Sequence, residues 1–199
     1  MKITKLTWLA LLPFLLTACG GKNRNKKLLV HSEPVNQAYL NLLKKEGEKK
    51  EPADSIFYGV YLKMKASDFY DHCSRMYKKG LFYGGYDMQV VVKLATPFKR
   101  PVKLAFYPSF EKPFISKLKC QFSYVNANIY NKADRSDVLI KELLPVLMNW
   151  YGGNEFLAMP SGNPLKGPRY VKVDSNRKID VSESDNGTNV EVVFEDLSH

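Results

Sequence analysis

The chain is poor in the residues that most catalytic and metal sites are built from. Its 199 residues hold three histidines and three cysteines. His31 lies near the amino end, His199 is the last residue, and only His72 falls in a segment with helical periodicity. A metal centre or a His-based nucleophilic site needs several such groups at fixed geometry. No Gly-x-Ser-x-Gly, no phosphate-binding Gly-rich loop, no His-Glu-x-x-His and no calcium loop occurs. His72 therefore reads as a helix-surface residue, and the chain reads as a non-enzyme with no cofactor and no metal. Long apolar runs are missing too. The longest, Leu6–Leu16, contains Pro13 and falls short of the roughly 20 residues that span a bilayer.

Acidic residues are also in deficit, 20 against 30 Lys and Arg, for a net charge of +10. Position changes the meaning of that excess. Lys2, Lys5, Lys22, Arg24, Lys26 and Lys27 all precede residue 28, and taking these six from +10 leaves the rest at +4. That balance is too mild to argue for a nucleic-acid partner. The basic stretch after Cys19 suits either anionic lipid headgroups or a plain spacer.

The amino end has a definite grammar. Lys2 and Lys5 precede the apolar run, which leads through Leu16-Thr17-Ala18 into Cys19-Gly20. This segment resembles the lipobox of bacterial lipoproteins. The resemblance implies a signal peptide over 1–18, cleavage before Cys19, and a diacylglyceryl group with an N-acyl chain on that cysteine. Several acyl chains anchor a protein firmly. The expected address is the bacterial cell envelope, tethered to the outer membrane and facing the periplasm. Residues 19–55 then read as a basic leash with a short helix near Pro34–Glu46, followed by the charged run Lys44–Pro52.

Residues 56–199 read as one α+β domain. A strand is expected at 57–64. A helix follows, with Ser67 as N-cap and Gly80 as stop. Strands are then expected at 88–94, 102–107 and 115–124. A second helix spans 136–151, with Leu139, Leu143, Val146, Leu147 and Trp150 on one face and Gly152-Gly153 as its end. Strands near 156–159, 169–173, 178–182 and 188–195 complete the chain, the last two joined at Asp185-Asn186-Gly187. The order predicts two layers: tandem helix-plus-antiparallel-sheet repeats, about 56–128 and 129–199, with the helices on one face of the sheet. It resembles the β-lactamase-inhibitory-protein type and the small lipoproteins that assist outer-membrane β-barrel assembly, through element order and the Gly59–Ser67 entry into a helix. The resemblance implies a binding protein and transfers no functional residue.

Two cysteines remain after Cys19. Cys73 shares a helical face with Phe69, Met76 and Tyr77, and Cys120 alternates in phase with Leu118, Phe122 and Tyr124. Both thiols should enter one core, as a disulfide or as two inert buried thiols. Strand alternation places Tyr61, Lys63, Lys93, Lys103, Tyr107, Lys117 and Lys119 on the opposite, solvent side, with Asp180, Glu191 and Glu195 at its other end. Such a face either is ordinary wet sheet or binds an acidic protein or polyanion, with docking of an envelope protein partner as the leading reading. An inhibitor or immunity protein blocking a hydrolase is the alternative reading, and a periplasmic enzyme of unknown type, which would need an active cleft, is a third. Asp54-Ser55-Ile56 resembles an O-glycosylation site of Gram-negative envelope proteins, with Ser55 as acceptor.

Overall fold

Gly152-Gly153 stops α3 (Ser136–Tyr151), the longest helix among the described residues, where the sequence places its end. The computed structural model describes residues 35–84 and 89–198. Cys19, the leader and the basic stretch lie outside these residues. Among the described residues the other two α-helices are α1 (Val35–Gly47) and α2 (Ala66–Lys78), and a 3-10 turn spans Lys132–Asp134. Eight strands complete the fold: β1 (Tyr83–Gly84), β2 (Val90–Leu94), β3 (Val102–Glu111), β4 (Phe114–Tyr124), β5 (Leu157–Met159), β6 (Arg169–Asp174), β7 (Arg177–Glu183) and β8 (Val190–Asp196). The fold is mixed α+β.

All strands pair antiparallel in one sheet of order β1-β2-β3-β4-β8-β7-β6-β5. Each of α2 and α3 is thus followed by a four-stranded meander, and the meanders join through their last strands, β4 and β8. Period-two alternation sends Leu104, Phe106, Leu118, Cys120, Phe122, Ile179, Val181, Val192 and Phe194 to one face. There they bury with Phe69 of α2 and Leu139, Leu143 and Leu147 of α3.

Helix α1, which the sequence reading left outside the domain, lies on the other side of the sheet from α2 and α3. Val171 pairs with Asp180 and Val173 with Lys178, both out of phase with Ile179 and Val181. Val171, Val173 and Met159 therefore point to the other side, where Tyr39, Leu42 and Leu43 of α1 cover them in a second, small core. Strand β6 is covered on both faces, with Val171 and Val173 on one and Tyr170, Lys172 and Asp174 on the other.

The leash expected through residue 55 is also corrected, because residues 35–55 belong to the fold. The turn at Ser175-Asn176 gathers them. Ser175 N–H donates to Glu46 Oε2 at 2.8 Å, Ala53 N–H donates to Asn176 Oδ1 at 2.7 Å, and Asn176 Nδ2 donates to Asp54 at 2.7 Å. Burial alone would raise the Glu46 carboxyl. Hydrogen bonds from Lys49, Ser175 and Asn154 outweigh it and bring the group down to about 2 from 4.5. A depressed native value adds stability that is complete above about pH 4.5 and is lost as pH falls towards 2. Amides of α1 are expected to lose hydrogen-exchange protection over that window, ahead of those of α3. In Glu46→Gln, α1 exchanges faster at neutral pH and its protection no longer follows this titration.

Segment 57–64 is not a strand. Tyr58, Gly59 and Lys63 have φ of 48°, 78° and 63°, which break extended backbone, and only isolated bridges form, Ser55 to Tyr61 and Lys65 to Phe114. The apolar alternation was real, since Val60, Leu62 and Met64 are buried, but turns deliver them. Ser67 is not the N-cap of α2. Lys65 is, without a side-chain cap, and the Ala66 N–H donates to the Pro113 carbonyl instead.

Candidate interaction surface

The face of β2–β4 turned away from α2 and α3 is the site the sequence singles out, and pairing fixes its rows. Lys93 lies opposite Lys103, which lies opposite Ser123. Tyr107 lies opposite Lys119, and Lys119 opposite Val193. Ser109, Lys117, Glu195 and Lys178 form a third row across β3, β4, β8 and β7. Lys93, Lys103, Tyr107, Lys117 and Lys119 are all exposed.

Two residues assigned to this face are elsewhere. Tyr61 and Lys63 sit in the turns of segment 55–65, outside the sheet, and Lys63 lies 3.9 Å from Asp196. Asp196 pairs with Arg177, in phase with the inward Phe194 and Ile179, so Lys63 belongs with the helix-covered side.

Lys117 is on the face but is engaged. Its ammonium is 2.5 Å from Glu195, whose other oxygen takes Lys178. The hydrogen bond it donates to Glu195 holds the Lys117 ammonium above its ordinary value. Asp180 pairs with Arg169 at 3.2 Å. Of the expected acidic end, Glu195 and Asp180 are thus consumed within the sheet, and Glu191 remains. Lys93, Lys103 and Lys119 have no carboxylate partner among the described residues. A shallow groove runs beside them, lined by Gln89, Ala105, Tyr107, Lys119, Gln121 and Glu191. Sequence reading missed Tyr83, whose ring lies 5.9 Å from the Lys93 ammonium. It falls in a two-residue strand, too short for alternation to mark.

The remaining assigned residues are structural. Cys73 and Cys120 are free thiols, so the expected bridge is absent. Cys73 lies beside Tyr77, Phe82 and Val90 over β2, whereas Cys120 sits two strands away on β4. Strands are about 4.8 Å apart, which puts the pair beyond the Cα separation of roughly 7 Å that a disulfide tolerates. Burial raises both thiols, that of Cys73 to about 11, which makes them poor nucleophiles. His72 is not on the surface. It is 7 % exposed, and its Nε2–H donates to the Tyr58 carbonyl at 2.7 Å. A side chain at Gly59 would meet this ring at 3.0 Å. Ser55 is exposed, but its carbonyl accepts from Arg177 at 2.7 Å, so it is anchored rather than placed on a linker.

A buried polar cluster that the sequence reading did not find lies on the helix side. Lys172 is 0 % exposed; its ammonium donates to the Gly152 and Asn154 carbonyls and lies 2.7 Å from Asp174. Asp174 also accepts from Asn154 N–H at 2.8 Å and from Arg177 at 3.4 Å, and the Arg177 guanidinium stacks on Tyr151 at 4.5 Å. Burial pulls the Lys172 ammonium below its usual value, against the opposing effect of Asp174. The cluster ties the end of α3 to the β6–β7 hairpin through the buried side chains of Lys172, Asp174 and Arg177, which is a structural role.

Among the described residues no group of His, Cys, Asp and Glu could hold a metal ion, and no helix is long and apolar enough to cross a membrane. No family model, no curated protein and no solved structure matches the chain.

Proposed function

We propose that this protein is a lipid-anchored, non-catalytic binding module of a bacterial envelope, whose open face of β2–β4 docks an acidic protein surface. The observation that carries this reading is the charge pattern of the face. Three exposed lysines flank Tyr107 without a carboxylate partner among the described residues, while the neighbouring acids Glu195 and Asp180 are spent on internal pairs. Complementary charge steers association and fixes its register, and tyrosine adds a large contact area at little entropic loss. Strands hold these groups in place, so little ordering is needed on binding.

Two further elements of the proposal rest on the sequence. Leu16–Gly20 supports anchoring through Cys19, with the domain facing the periplasm from the outer membrane. The matching order of α2 with β1–β4 and α3 with β5–β8 supports two related halves.

Photocrosslinking in cells from the Tyr107 position, followed by mass spectrometry, tests the proposal. One dominant envelope protein is expected. Lys103→Glu with Lys119→Glu should reduce its capture at least about tenfold, as charge reversal at a complementary interface does, with the melting temperature nearly unchanged. Unaltered capture would overturn the docking face. A captured hydrolase inhibited in a stoichiometric complex would identify the protein as an inhibitor.

A further inference from the structure

We infer that Lys93 and Lys103 form a binding site for a phosphate group, at the end of the sheet face near the β7–β8 turn. The inference does not depend on protein docking at Tyr107 and Lys119. Lys93 and Lys103 are directly opposite in the antiparallel pair β2–β3, on the same face. Opposed residues have Cβ atoms about 5 Å apart, and like charges in that position destabilise a sheet. Such a pair is normally offset by a carboxylate. Here neither lysine has one among the described residues, and the flanking positions on the face are Val91, Ala105 and Ser123.

The two lysines open onto a concavity also lined by Ser123, Asn126, Thr188 and Asn189. Ser123 is 5 % exposed and faces the same side, so its hydroxyl sits low in the hollow. Hydroxyl and amide groups there offer hydrogen-bond donors, and no carboxylate of the described residues lines the space. Two ammonium groups with neutral donors and no competing anion match a phosphate, which lysine binds as a point charge. A phosphate between the lysines converts their repulsion into two charge-assisted hydrogen bonds. The source can be a phosphomonoester lipid headgroup or a soluble phosphate, since both present the same dianion.

The test is calorimetric titration of the full-length chain in neutral detergent with inorganic phosphate, against chloride at equal ionic strength. One saturable site is expected. Lys93→Gln and Lys103→Gln should each weaken it about tenfold, the loss of one charge-assisted hydrogen bond. Lys119→Glu should leave it within about twofold, since that lysine is outside the hollow, which separates this site from the docking reading. Lys103→Gln without phosphate should melt no lower than the parent, because it removes a like-charge contact. Dihexanoyl phosphatidic acid, titrated below its micellar concentration, separates the sources. Tighter binding than inorganic phosphate assigns a lipid headgroup, and equal binding assigns the phosphate group alone. A response no different from chloride, or one that survives both glutamine substitutions, overturns the site.

Discussion

Asp174→Ala is expected to lower the unfolding free energy by about 3–5 kcal/mol, the range for removing one partner of a buried ion pair. The substitution strips the carboxylate from between Lys172, which has no exposed surface, and Arg177, whose Nε already lacks a partner. It also leaves the Asn154 N–H without its acceptor. Lys172→Met should cost less, because Asp174 keeps Arg177 and Asn154 when the ammonium is gone. Equilibrium denaturation of both variants measures the difference, and equal losses would mean that Asp174 is not the centre of the cluster. Gly153 shows how tightly the carboxylate is held. A Cβ there would lie 2.2 Å from Asp174 Oδ1, and the residue has φ of 68°.

Phe106→Ala should be as damaging, at about 3–5 kcal/mol for a large-to-small change in a well-packed core. Phe106 is 1 % exposed and makes edge-to-face contacts with Phe57 at 5.1 Å, Phe82 at 5.5 Å and Phe69 at 6.5 Å. Its ring therefore joins β3 to the 54–65 turns, to α2 and to the segment leaving α2. Phe106→Leu should lose clearly less, since most of the volume is retained. A loss below about 1 kcal/mol for the alanine variant in chemical denaturation would show that these elements close over the vacancy.

Much of this fold was legible because the relevant forces are local. The stripe from Leu139 to Leu147, stopped by two glycines, gave α3 its observed limits, and alternation placed Cys120 and Phe122 inward. What the sequence hid depends on partners far along the chain. Glu46 looked like one more charge in a linker, yet its acceptor role is set by Ser175, 129 residues away. Lys117 read as a free surface lysine, because nothing near it announces Glu195 across the β4–β8 junction. One signal for the buried cluster was present. Lys172 and Asp174 alternate in phase with Tyr170, which packs on the main core, so two charges stood on the inward side of a covered strand. Segment 57–64 misled because burial at alternate positions is necessary for a strand but not sufficient for one.

The junction of β4 with β8 sets the order in which the molecule can be completed. Every pairing within β1–β4 can form once Tyr124 has been made. Among the described residues, the only strand pairing that unites the halves uses β8, which follows the other seven described strands. Until β8 is available, the inward face of β4 has a bare flank and α3 lacks Val190, Val192 and Phe194 as its floor. A chain made amino end first therefore holds an open sheet edge until the last of its described strands is available. Until then that edge is an unpaired template for other strands.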